Sequence, residues 1–220
     1  DIDNGNTNTG FQTVTLGPNA SAAFPTGISL KVSNAASGLN LQGGLSTVPI
    51  SMLGTSNGGT AYADTIVGGS GNDSLRGGDG ADSLSGGDGN DTFYVQVNSG
   101  DVNDTIIGGN GSDTLFVEYS VMSGYAANLT NDANLSGVEN ITFTARGSST
   151  WSSINLAGQT EAFNIVGSDA NNSIVAGAGN DTISGGDAQD TIQGGAGNDQ
   201  IDLAETTAAV DTVVFSRSEE

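Results

Sequence analysis

Residues 68–94 read GGSGNDSLR, GGDGADSLS, GGDGNDTFY: three consecutive nine-residue units, each opening on two glycines. Each carries Asp at its sixth position (Asp73, Asp82, Asp91) and a large apolar residue at its eighth (Leu75, Leu84, Phe93). A fixed internal period decides the architecture before any single residue does, because each unit repeats one local structure and buries its apolar side against the next. The glycines supply backbone conformations with positive φ that a residue with a Cβ resists, so the first part of each unit reads as a tight turn. The last three residues, polar, apolar, polar, read as a very short strand with one side chain turned inward. Turn and strand make half a coil, so two units close a coil of eighteen residues. The strands of successive coils then stack in parallel over a core column of Leu, Phe and Ile. The expected fold is all-β, a parallel β-roll or β-solenoid.

The turns carry the chemistry. Units one coil apart share an edge, which brings Asp73 over Asp91 and Asp64 over Asp82 at roughly the 4.8 Å strand spacing. Two carboxylates at that distance repel by about 1 kcal/mol in water and by several times that at lower effective dielectric. A cation relieves the repulsion. The chain has no His and no Cys, so the available ligands are carboxylates and turn carbonyls, an oxygen-only set that selects calcium before magnesium.

The three units resemble the RTX family of secreted bacterial proteins, whose parallel β-roll binds several calcium ions through this nonapeptide. The resemblance implies an extracellular or cell-surface location after type I secretion, with the chain passing unfolded through the export channel. It implies a calcium-dependent structural segment of a large secreted protein of the surface-layer or adhesin type. Partners beyond calcium would be copies of itself in a lattice, or cell-surface glycan. The alternative is a C-terminal folding and secretion module, triggered by calcium, of a type I secreted hydrolase or toxin. Two calcium blocks separated by a metal-poor spacer favour the first reading. The stretch DTVVF at 211–215, which looks like the strand that often follows the last repeat near an export signal, favours the second.

Four segments are expected along the chain. Residues 1–58 hold short strands divided by turns, at 11–16, 28–32, 39–41 and 48–53, and Leu30, Leu39 and Val48 fall nine apart. The opening DIDNGN superficially resembles an EF-hand loop, but Gln12 stands where such a loop needs Glu, so it reads as an acidic turn. Residues 59–116 form the first calcium-binding block. Its sixth positions are Asp64, Asp73, Asp82 and Asp91, then, after four extra residues, Asp104 and Asp113. Alternate units share an edge, so the columns are Asp64, Asp82, Asp104 and Asp73, Asp91, Asp113, with about four sites between them. The turn glycines joined to them are Gly68, Gly69, Gly71, Gly77, Gly78, Gly80, Gly86, Gly87, Gly89, Gly108, Gly109 and Gly111.

Residues 117–157 lose the turns but keep strand-like pieces, a metal-poor spacer. Its phrase LSGVENI at 135–141 resembles spacers between calcium blocks of RTX and surface-layer proteins. Residues 158–220 form the second block; Leu156, Ile165, Ile174, Ile183, Ile192 and Ile201 lie nine apart, so the apolar stack starts before the first ligand of this block. Its sixth positions are Asn172, Asp181, Asp190, Asp199 and Asp211, with Gly177, Gly179, Gly185, Gly186, Gly194, Gly195 and Gly197 in the turns. The pairs are Asn172 with Asp190, Asp181 with Asp199, and Asp190 with Asp211. Asn172 offers an oxygen without charge, so its site should be weaker. Third-position Asp79, Asp88 and Asp187 are expected on the solvent side.

The net charge is −21, with Lys31, Arg76, Arg146 and Arg217 the only basic residues, which excludes nucleic acid and anionic membrane surfaces as partners. With 35 glycines and little aromatic content, disorder is the competing expectation, opposed by the regular apolar eighth position. Without Cys the fold relies on no disulfide. No segment approaches the roughly twenty apolar residues of a membrane span. No signal peptide is visible and the chain starts without Met, which suggests a fragment of a larger protein. No enzyme activity is expected, since His and Cys for a triad or zinc site are missing. Glu118, Glu139 and Glu161 read as solvent-facing loop residues, and Trp151 as a half-buried spacer aromatic.

Overall fold

The computed structural model describes residues 12–17, 20–31, 37–54, 62–97, 103–119, 126–129, 134–145, 151–206 and 209–215. The DIDNGN turn lies outside them. The chain divides into two compact units. The first comprises Asp1–Val95, Asn103–Thr114 and Ser136–Val138, and the second Gln96–Val102, Leu115–Leu135 and Glu139–Glu220.

In the first unit the nonapeptide does what its spacing requires. The strands Thr65–Gly69, Ser83–Asp88 and Thr105–Asn110 pair in parallel, with Ile66 opposite Leu84 and Leu84 opposite Ile106. The alternate units supply the facing sheet, where Ser74–Arg76 pairs with Thr92–Val97 and Leu75 lies opposite Phe93. All five of these apolar side chains are fully buried, each contributing about 1.5–3 kcal/mol of transfer free energy. A slip of one residue would turn every column to solvent, so the core fixes the register. Four extra residues in the sequence separate Leu84 from Ile106 beyond one regular coil, yet the pairing is kept.

The N-terminal strands belong to the same stacks. Leu39–Gln42 pairs with Thr65–Gly69 and with Gln12–Thr15, while Ile28–Lys31 pairs with Ile50–Leu53, which in turn pairs with Ser74–Arg76. The residues in the core columns are Leu41, opposite Ile66, and Met52, opposite Leu75. Of the expected nine-residue series, Leu30 lies in a column, opposite Met52, and Leu39 is buried at the start of its strand, whereas Val48 lies in the turn before Ile50–Leu53. These early coils have turns of irregular length, so the phase slips even though the stack continues.

The second unit repeats the plan. Asn140–Ala145, Asn164–Val166, Thr182–Ser184 and Gln200–Asp202 stack through Ile141, Ile165, Ile183 and Ile201. Opposite them Ala126–Asn128, Trp151–Asn155, Asn171–Val175, Thr191–Gln193 and Thr212–Val213 stack through Ala127, Ile154, Ile174, Ile192 and Val213. Ile154, not Leu156, is the partner of Ile174, and Leu156 is buried just past the strand end. Larger side chains pack in the early coils of this unit: the Tyr119 and Phe143 rings meet edge to face at 5.9 Å, and the Tyr119 hydroxyl donates to the Ser153 carbonyl. Glu118 is buried in Thr114–Tyr119 rather than solvent-facing, because that strand is covered on both faces over its last residues. Trp151 is 47% exposed. No helix of the described residues is long and apolar enough to cross a membrane.

Candidate metal centres in the stacked turns

Each sixth-position side chain turns back against the chain direction and meets the coil before it. In the first unit the Leu39 N–H donates to Asp64 Oδ1 at 2.8 Å, the Asp64 N–H to Asp82 Oδ1 at 2.7 Å, and the Asp82 N–H to Asp104 Oδ1 at 2.9 Å. On the other edge the N–H groups of Ile50, Asp73 and Asp91 donate to Asp73, Asp91 and Asp113 at 2.8, 2.7 and 2.7 Å. In the second unit Phe163 donates to Asp181, Asp181 to Asp199, Asn172 to Asp190 and Asp190 to Asp211, at 2.8, 3.0, 2.8 and 2.9 Å. The structure thus brings together every pair that the spacing proposes, including those across the insertion before Asp104. It also spends one carboxylate oxygen of each Asp on an amide ladder, each bond contributing about 1.5–3 kcal/mol because the acceptor is charged.

The second oxygen faces the glycines. Had Gly77 or Gly86 a Cβ, it would sit 2.0 Å from Oδ2 of Asp82 or Asp91; at Gly185 and Gly194 the approach to Asp190 and Asp199 would be 2.1 and 2.3 Å. First-position glycines exist for this close approach. Positive φ is confined to later positions, as at Gly78 (107°) and Gly80 (141°) or Gly195 (101°) and Gly197 (121°). The expectation that all the turn glycines need positive φ is therefore corrected: Gly68, Gly69 and Gly71, like Gly177 and Gly179, are crowded by neighbouring oxygen or backbone instead. In GGDAQDTIQ, Ala188 adopts the left-handed conformation (φ 74°) that Gly takes elsewhere, at a cost of about 1–2 kcal/mol.

Oδ2 of Asp82, Asp91, Asp181 and Asp190 is buried and has no hydrogen-bond partner. An anionic oxygen so placed costs several kcal/mol unless a proton or a cation joins it. Burial accordingly pushes the Asp82 carboxyl up to about 7, opposed by the Asp64 N–H and reinforced by the charges of Asp104, Asp64 and Asp79. Asp91 and Asp104 rise to about 6, chiefly through burial, and Asp73, Asp181 and Asp190 rise for the same reason. Among the described residues no group of three or more His, Cys, Asp or Glu side chains gathers at one place. An ion here would thus take one or two carboxylates and complete its shell with turn carbonyls, a set that suits calcium and strands the stricter octahedral magnesium. The residues fit the ion.

A carboxyl whose pKa is raised by folding gives most stability below its unfolded value, about 4, and loses it as pH rises through the folded value. In a chelator, β structure should therefore be greater at pH 5 than at pH 8, declining through the range where Asp91, Asp104 and Asp82 ionise. Far-UV circular dichroism at the two pH values checks this; a metal-free chain equally ordered at both would contradict it.

The third-position residues stay at the turn surface: Asp88 is exposed and accepts from Asn110 Nδ2 at 2.8 Å, while Asp79 and Asp187 are half-buried. A second ladder runs outside the aspartates and was missed in the sequence. The N–H groups of Asn90, Ser112, Asn198 and Gln189 donate to Oδ1 of Asn72, Asn90, Asn180 and Asn171 at 2.9, 3.0, 2.8 and 3.1 Å. Its signal was the Asn recurring at the fifth position.

A family model described as the RTX calcium-binding nonapeptide repeat (4 copies) matches residues 58–93, 98–118 and 166–201. No curated protein and no solved structure matches the chain. The matched segments carry the aspartate columns of both units except Asp211, and these segments are RTX calcium-binding nonapeptide repeats.

Proposed function

We propose that this chain is a calcium-dependent structural segment of a large extracellular protein, of the surface-layer or adhesin type, which folds on calcium binding after export. Its calcium ligands are Asp64, Asp73, Asp82, Asp91, Asp104 and Asp113 in the first unit, and Asp181, Asp190, Asp199 and Asp211 in the second, completed by carbonyls of the glycine turns. The observation that carries this reading is the row of buried Oδ2 atoms without partners, in turns that match calcium-binding repeats. The ion acts as a folding ligand and the segment performs no catalysis. Cytosolic calcium is too low to hold the turns, which keeps the chain open for export. Self-association or attachment to surface glycan supplies its contacts outside.

Position within a column grades the test. Asp82 lies between the carboxylates of Asp64 and Asp104, whereas the other neighbour of Asp64 is the neutral Leu39 amide. Asp82→Ala should disturb two ions and Asp64→Ala one, so the calcium midpoint for folding should rise about twice as far, in free energy, for Asp82→Ala. Calcium titrations of the two variants followed by circular dichroism decide it. Equal, small shifts within about 0.5 kcal/mol would mean that these residues merely solvate turns.

A further inference from the structure

One turn of the second unit departs from the rule. Asn172 holds the sixth position of GSDANNSIV, residues 167–175, and its side chain is buried. Four oxygens surround its Nδ2: the carbonyls of Ser168 (3.0 Å), Gly185 (3.0 Å) and Ala170, and Oδ1 of Asp190 (3.1 Å). Its Oδ1 faces donors, the Ser152 hydroxyl at 2.9 Å and the Ser168 N–H at 3.3 Å. The orientation of the amide is fixed by these neighbours, since a carbonyl can only accept and a backbone N–H can only donate.

The four oxygens come from the second and fourth positions of one turn and from the first and sixth positions of the turn one coil later. An all-oxygen cage from two successive turns, with one carboxylate, is the kind of set a hard divalent cation takes. Here its centre holds an amide NH2, whose two hydrogens are shared among four acceptors. The preceding coil places Ser152 opposite Asn172 in the strand register, so the start of this column is neutral and its first carboxylate is Asp190.

We propose that the Asn172 side-chain amide is a built-in substitute for calcium: its turn takes no ion, and this column begins to bind calcium only at Asp190 and Asp211. The inference rests on the reading that the sixth-position aspartates hold calcium. It replaces the weaker site expected at Asn172 with none, and gives the second unit one turn whose oxygens are gathered without metal.

Equilibrium dialysis against radioactive calcium tests it, with folding checked by circular dichroism. Asn172→Asp removes the NH2 and restores a charge, and should bind one more ion per chain than the wild type. The reciprocal change Asp181→Asn should bind one fewer while still folding in calcium, and it decides the matter if Asn172→Asp does not fold. An Asn172→Asp chain with the wild-type number of ions, or Asp181→Asn retaining its full complement, would overturn the proposal. A wild-type chain that binds no calcium would instead overturn the reading on which it rests.

Discussion

In a chelator the chain is expected to lose most of its β signal, to regain it in millimolar calcium, and to regain little in magnesium at the same concentration. The reason lies in the ladder itself. Each coil seats on the next through Asp Oδ1, and this same contact buries Oδ2 against the first-position glycines, so the fold cannot keep the amide bond without confronting the unpaired charge. If each site binds calcium with a dissociation constant of roughly 0.1–1 mM, a tenfold excess contributes about 1.4 kcal/mol per site. Several sites per unit then amount to much of the 5–15 kcal/mol by which domains are stable. Far-UV circular dichroism through a calcium titration reads the effect, and a spectrum that does not change would overturn it.

Gly86→Ala should be among the damaging single methyl additions in the first unit. The added Cβ would lie 2.0 Å from Asp91 Oδ2 and 2.7 Å from the Gly108 carbonyl, so either the carboxylate or the next coil has to move. Overpacking of this kind costs about 3 kcal/mol, and displacing Asp91 also loosens the N–H of Asp73 that it accepts from. Gly17→Ala is the control, since nothing lies within 4 Å of its added Cβ. Chemical denaturation of both variants in saturating calcium is expected to separate them by about that amount. Equal stabilities would mean that the first glycine does not serve the carboxylate.

The eighth-position core and the pairing of aspartates one coil apart were legible because a constant period sets side-chain direction and turn length together. Leu84 could only point where Leu75 points, and Asp82 could only stack on Asp64. Where the turns change length that logic fails: nothing local distinguishes Leu41 and Met52, which fill the columns, from Leu39 and Val48. Leu156 was misplaced by two residues for the same reason. The amide ladder was invisible because it needs the side chain to turn back onto the preceding coil, a direction that composition and spacing do not encode. Glu118 reads as a solvated residue because nothing in its local sequence signals that the end of its strand is buried. The double role of the glycines was hidden too, because freedom of φ and room for a carboxylate select the same residue.

The most direct measurement is anomalous diffraction from crystals grown in calcium. The account predicts peaks beside Oδ2 of Asp82, Asp91, Asp181 and Asp190, each within calcium–oxygen distance, about 2.3–2.6 Å, of turn carbonyls. Crystals with ordered turns and no peak within reach of those oxygens would contradict it.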